Sequence, residues 1–261
     1  MIFSREEHQQ EVKRWQNRLV NNCQICKGSG SIDKPGSNKA IMCTCQEQSM
    51  LNAHLASHGI PRKYLNETWN WEGLNNNKES TEKVKQYAAD FKNYYYDGKG
   101  LYIYGQQGRG KSLLESLVAR EVAALINDDH GKHFRVIFMI YEEMVQLSHQ
   151  GRSDLKAKEL LSKIIGKSDL LIVDNIGSET GSKEYNTKLL EFVLRKRDND
   201  NVPTIISSNY TPEQLKQAYS DTIHDFVKQN SEYVLVQGEN FRKKDGVILD
   251  DGFADLLEED L

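Results

Sequence analysis

Residues 101–117, LYIYGQQGRGKSLLESL, restrict the fold of this chain more than any other stretch. Leu101-Tyr102-Ile103-Tyr104 is an aromatic and β-branched run of the kind that fills a buried strand. Gly105, Gln106, Gln107, Gly108, Arg109, Gly110, Lys111 and Ser112 then follow the spacing G-x-x-x-x-G-K-S. Beyond Ser112, Leu114, Leu117, Val118, Val122 and Leu125 recur at helical spacing. Strand, glycine turn and helix in that order curl successive backbone N–H groups around one anion at the positive end of a helix. The pattern predicts a P-loop in which Gly105 through Leu113 cradle a nucleotide's phosphates. Lys111 reaches the β- and γ-phosphates and Ser112 holds Mg2+. The alternative is a chance glycine turn, and the correctly placed strand and helix argue against it.

Further apolar runs alternate with helical patterns. HFRVIFMI (133–140) reads as a second strand and YEEMVQLSHQ as the helix after it. DLLIVDNIG (169–177) is a buried strand ending in an acid, Asp174, at the position that holds Mg2+ in P-loop proteins. VPTIISSN (202–209) is another strand with a polar tip ending at Asn209. Such alternation predicts an α/β fold, a parallel sheet covered on both faces, with the ligand at the strands' carboxyl ends. Asn209 on its tip is placed to orient a water at the γ-phosphate; a plain turn residue is the alternative.

All four cysteines lie between residues 23 and 45, as C-x2-C, sixteen residues, then C-x-C. Glycines and a proline fill the interval, which makes turns rather than a core. Cys23, Cys26, Cys43 and Cys45 predict a structural Zn2+ site, with free thiols and a redox pair as alternatives. Ahead of it Val12, Trp15 and Leu19 form a helical stripe, read as local packing before partner contact. The cysteine module is expected to have a core separate from the nucleotide domain. Asn75–Ser80 reads as a linker before one helix over TEKVKQYAADFKNYYYDG, ending at Gly98.

No run of 18 apolar residues exists, and the charged start MIFSREEHQQEVKRW has no signal-peptide core. A cytoplasmic location and no membrane partner are therefore expected. The net charge is −4, but residues 250–261, DDGFADLLEEDL, hold six acids and no base. Without this acidic tail 34 basic residues face 32 acidic ones, so the body is nearly neutral. The expected divisions are a helix and zinc module over 1–57, a nucleotide-binding domain over 58–249, and the tail.

In order along the chain, GIPRKY, GLYIYGQQGRGKSLLESLVARE, VIFMIYEEM, LLIVDNIGSE, VPTIISSNYTPEQL and GENFRKK resemble the bacterial and phage replicative-helicase loaders of the DnaC/DnaI type. These are AAA+ ATPases, with the IstB transposition helpers as close relatives. The resemblance spans roughly residues 58–245, and the cysteine module is similar to the zinc-bearing front segment of such loaders. It implies ATP as the nucleotide, a DnaB-type hexameric helicase gripped by the front module, and help in placing that helicase on single-stranded DNA. It further implies self-assembly through the AAA+ domain, while the near-neutral body predicts weak single-stranded DNA binding by the chain alone. Lys111, Ser112 and Asp174 match the family's phosphate and Mg2+ contacts. Asn209 matches sensor 1, Arg242 matches the sensor 2 arginine, and Ile60, Pro61 and Tyr64 match the segment near the adenine. An exposed arginine in a basic run is the alternative at Arg242.

Two departures from the family pattern bear on catalysis. Asn175 stands where a second acid usually follows Asp174, and an amide cannot accept a proton from the attacking water. The stretch SDTIHDFVKQ (220–229), where loaders carry an arginine that reaches a neighbour's ATP, contains only Lys228 as a cation. Arg195 and Arg197 are the substitutes in sequence. Slow hydrolysis follows, with ATP used mainly as a switch. The alternatives are an inhibitory loader mimic or an IstB-like transposition helper.

Overall fold

The computed structural model describes residues 5–34, 36, 39–238 and 240–241. Arg242 and the acidic tail lie outside the described residues. Five parallel strands make the central sheet: β3 (Gly100–Tyr104), β6 (Val136–Ile140), β7 (Leu170–Ile176), β8 (Thr204–Ser208) and β9 (Ser231–Leu235). Their spatial order is β6-β7-β8-β3-β9. The P-loop strand β3 is therefore interior, with β8 inserted between it and the Asp174 strand β7. Both faces of β3 are buried, which explains an apolar run without alternation.

One face is covered by α3 (Lys78–Ala89), α4 (Phe91–Tyr96) and α5 (Lys111–Ala124). The other carries α6 (Tyr141–Gln150), α7 (Leu155–Lys167), α8 (Lys183–Asn199), α9 (Pro212–Ala218) and α10 (Asp221–Asn230). Two short ribbons, β1 (Ser31–Asp33) with β2 (Ala40–Met42) and β4 (Ile126–Asn127) with β5 (Lys132–His133), are antiparallel. Among the described residues no helix is long and apolar enough to cross a membrane.

The front of the chain departs from expectation. Helix α1 (Arg5–Trp15) continues into a π-helical turn (Gln16–Val20) and packs on α2 (Thr44–Ser57). Trp15 is 1% exposed, and it belongs to the same apolar cluster as Ala53, Leu55, Leu101, Leu117 and Val234. The two expected cores are one continuous core. Polar ties reinforce the join: Arg62 pairs with the buried Glu11, Asn52 donates to Asn66 at 2.8 Å, and Arg120 reaches Gln48 Oε1 at 3.5 Å.

Residues 75–80 are likewise no free linker. A 3-10 turn (Glu72–Asn77) leads directly into α3, with Leu74 and Asn77 buried. The single helix expected to run to Gly98 breaks at Asp90, because Phe91 must turn into the core while Tyr87 is already inside it. The second strand is shorter than expected, since Lys132–His133 fold back on Ile126–Asn127 instead of extending β6.

Candidate functional site

The site forms where β3, β7 and β8 end side by side. Parallel pairing sets Tyr104 opposite Ser208 and brings Val173 of β7 level with Ile206 of β8. The chain leaves β3 through Gly105 to Gly110 and enters α5 at Lys111. Gly105 and Gly108 have φ of 141° and 80°, conformations only glycine adopts easily. A Cβ at either would also collide with the segment behind, at the Val236 carbonyl and the Asn240 side chain. Gly110 caps α5 without a side-chain acceptor, so the first-turn N–H groups keep their capacity for an anion. The loop fits a phosphate.

Lys111, 7% exposed, donates from Nζ to the carbonyls of Gly105 at 2.7 Å and Gln106 at 3.1 Å, and to Asn209 Oδ1 at 2.7 Å. Inserting β8 between β3 and β7 is what carries Asn209 to a lysine 98 residues away. Asp174 accepts from Ser112 Oγ at 2.9 Å through one oxygen and from Ser207 Oγ at 2.6 Å through the other. A hydroxyl and a carboxylate so paired are the hard oxygen donors that Mg2+ takes. Gln106 and Gln107 are exposed, Arg109 donates to Gln106, and Leu113 is buried in the core below the loop. Leu113 thus offers the nucleotide only its backbone.

Three polar residues of this site escaped the sequence reading. Ser207 braces Asp174 and also accepts from the Asn175 backbone N–H at 3.0 Å. Glu115, one turn into α5, is fully buried; burial and the neighbouring Asp174 charge push its carboxyl well above the usual range. Glu143 sits on the first turn of α6, directly after the strand that pairs Ile140 with Asp174. Burial and then the Asp174 charge raise it as well. A charged residue inside the apolar run SLLESLVA was the one available signal for Glu115.

Asn175 has a left-handed backbone, φ 63°, at a register shift in the β7–β8 pairing. Its side chain donates to Ser178 Oγ at 2.6 Å. Of the acids after it, Glu179 is held by the Gly177 N–H and the Tyr219 hydroxyl, and Glu184 is exposed and paired with Lys188. Arg197 is no arginine finger. It is fully buried and donates to Thr204 Oγ1, Ser168 Oγ and the carbonyls of Ile165, Ser168 and Pro203. Burial lowers it to about 10, still protonated at neutral pH. Arg195 is exposed.

Contacts to the loop come from both flanks. Phe241 N–H donates to the Gly108 carbonyl at 2.9 Å, Asn77 Nδ2 reaches the Arg109 carbonyl, and Phe241 meets Trp71 edge-on at 4.9 Å. Ile60 is buried and Tyr64 half-buried, but the hydrogen bonds that tie their segment to α5 run from Arg120, over two turns past Lys111. Trp71, Asn77 and Phe241 flank the loop itself.

The four cysteine sulfurs lie within 4.8 Å of one another. Cys23 and Cys43 are 3.9 Å apart, and Cys26 and Cys45 are 3.5 Å apart. Four sulfurs about 2.3 Å from a tetrahedral Zn2+ are separated by roughly 3.8 Å, so the donor set fits. Burial opposes ionisation of Cys26, but the Gly30 N–H and the Cys45 thiol outweigh it and bring the thiol down to about 6.

Comparison with known proteins agrees with this geometry. The family model described as IstB-like ATP binding protein matches residues 77–247. The replicative helicase loader DnaI of Bacillus subtilis is 28% identical over 138 residues, 52% of this chain and 42% of that protein. The replicative helicase loader DnaC of Escherichia coli is 24% identical over 165 residues, 62% of each chain. These matches cover less than two thirds of either relative's length. A crystal structure of the DnaC helicase loader superposes with a TM-score of 0.54 at 18% identity, over 67% of this chain and 99% of that one. At that identity the likeness concerns the fold.

Proposed function

This chain belongs to the IstB-like ATP-binding protein family, and we propose that within it the chain is a helicase loader of the DnaC/DnaI kind. Its partner would be a DnaB-type replicative helicase, gripped by the front module and delivered to single-stranded DNA in the cytoplasm. The observation that supports this most is the convergence of Lys111, Ser112, Asp174 and Asn209 at one strand edge, in a chain whose curated relatives are replicative helicase loaders. Residues Gly105 to Leu113 would hold the phosphates of ATP. Ser112 and Asp174 would hold Mg2+, which would supply charge neutralisation between the β- and γ-phosphates. Cys23, Cys26, Cys43 and Cys45 would hold a structural Zn2+.

Lys111 is the moving part of this reading. Its ammonium is satisfied by two loop carbonyls and Asn209, and a γ-phosphate would compete for it. That exchange would hand the phosphate's presence to Asn209 and so to β8. Hydrolysis is the weak step, because Asn175 offers no base and α10 no arginine. The same two features support a second reading, an inhibitory mimic that occupies a helicase or a host loader. A helicase-loading assay with the cognate helicase on closed single-stranded DNA separates them. A loader raises unwinding with ATP present and fails to do so as Lys111→Ala; suppression of unwinding by the wild type would establish the mimic and overturn the loader.

A further inference from the structure

Helices α6, α7 and α8 leave a groove of about 580 Å3 on the face remote from the P-loop helix. Its floor is Leu161 and Ile165 of α7 with Leu189 and Phe192 of α8. Phe192 is 58% exposed, and with the rest of the floor it forms one open apolar patch. Three cations, Arg152, Lys158 and Lys196, stand around these apolar residues. Lys196 is held by Asp200 at 2.7 Å and Arg152 lies over the Tyr185 ring, whereas Lys158 makes no ion pair among the described residues. An apolar floor with a basic rim selects an occupant that is apolar on one side and acidic on the other.

The chain itself contains such a segment. In residues 250–261 the apolar Phe253, Leu256, Leu257 and Leu261 fall at i, i+3, i+4 and i+8, with Asp255, Glu258, Glu259 and Asp260 between them and Asp250 and Asp251 just ahead. That is the spacing of one helical face, and every charge on the remainder is negative. Reach is sufficient. Phe241, the last described residue, sits against Gly110 at the P-loop, and the twelve residue steps from it to Phe253 can span up to about 40 Å. A globular body of about 240 residues has a radius of gyration of roughly 18 Å, so that span covers much of its surface. A tethered segment also meets its groove at an effective concentration in the millimolar range, so a weak contact suffices.

We propose that residues 250–261 dock within the same molecule into the α7–α8 groove, their apolar face on Phe192 and Leu161 and their acids toward Lys158 and Arg152. The proposal stands apart from the loader reading. Its test uses the full chain with Phe253 replaced by the photoreactive benzoylphenylalanine. Illumination of the monomer should join residue 253 to a peptide from α7 or α8. The yield should fall at least fivefold in Lys158→Glu combined with Phe192→Ser, both on exposed side chains that the fold does not need. Converting Glu258 and Glu259 to lysine in the Lys158→Glu background should recover part of it. Cross-links to another surface, cross-links between two copies, or a yield indifferent to the groove variants would each overturn the proposal.

Discussion

Asn175 meets two demands at once. Its φ of 63° lies in the left-handed region, where asparagine and aspartate are tolerated and most other side chains cost about 1–2 kcal/mol. Its position after Asp174 is also where a catalytic acid would sit. Asn175→Asp is therefore the informative substitution: it restores a carboxylate without backbone strain, whereas Asn175→Glu incurs that strain. We expect slow steady-state ATPase in the wild type and a gain of no more than about tenfold in Asn175→Asp, below the roughly 10²–10⁴-fold of a well-placed base. The Ser178 bond holds this side chain aside, and α10 carries no arginine. Whatever turnover the wild type has should depend on Glu143, whose raised carboxyl faces the Asp174 charge. Glu143→Gln should lower it at least tenfold with nucleotide affinity unchanged; equal turnover would exclude Glu143 as the base. Lys111→Ala should abolish ATP binding in a fluorescence titration, since three acceptors and the loop are organised around that ammonium.

Elements are joined here by a few buried polar side chains. Arg197 fastens α8 to the end of α7 and to the start of β8 through five hydrogen bonds. Arg197→Met would remove the donor from the Ile165, Ser168 and Pro203 carbonyls and the Thr204 hydroxyl, while Ser168 Oγ keeps its bond to the Ile164 carbonyl. Chemical denaturation should show a loss above roughly 3 kcal/mol, among the largest single-residue effects. A finger arginine would instead leave stability intact and change only ATPase in the assembled state. The front module makes a contrasting case. Chelating Zn2+ should release the β1–β2 ribbon, yet Trp15, Ala53 and Leu55 belong to the core that also holds Leu101 and Leu117. Thermal unfolding of the chelated protein should therefore shift downward as one transition. A split into two transitions, with the nucleotide-protected one unmoved, would show that the modules are independent after all.

For the whole molecule, charge sets the expectation. The tail carries −6 and the body +2, which together give the net charge of −4. A monomer has little counterion release to gain from single-stranded DNA. Binding alone at physiological salt should be weak, and it should strengthen with ATP and helicase, measured by anisotropy of a labelled oligonucleotide. Tight binding without either partner would contradict the reading. Deleting the tail acids should strengthen it by a modest, salt-sensitive factor.

Residue order alone makes the P-loop, the Asp174 strand end, Asn209 and the four-cysteine set legible, because each is a short local pattern whose chemistry depends on residue type and spacing. It also determined the fold class, since strands buried on both faces read as unbroken apolar runs. Which of those strands are neighbours emerges only on folding, with β8 placed between β3 and β7. Strand β9, with the half-buried pattern of Ser231-Glu232-Tyr233, carries little signal and owes its place to pairing with β3. The roles of Arg197, Glu115 and Glu143 were beyond the sequence for the same reason. A charged side chain reads as surface until packing from distant elements buries it, and that packing is a property of the assembled core. The continuity of the front module with the sheet is of the same kind: Trp15 and Leu117 share one cluster although 102 residues separate them along the chain.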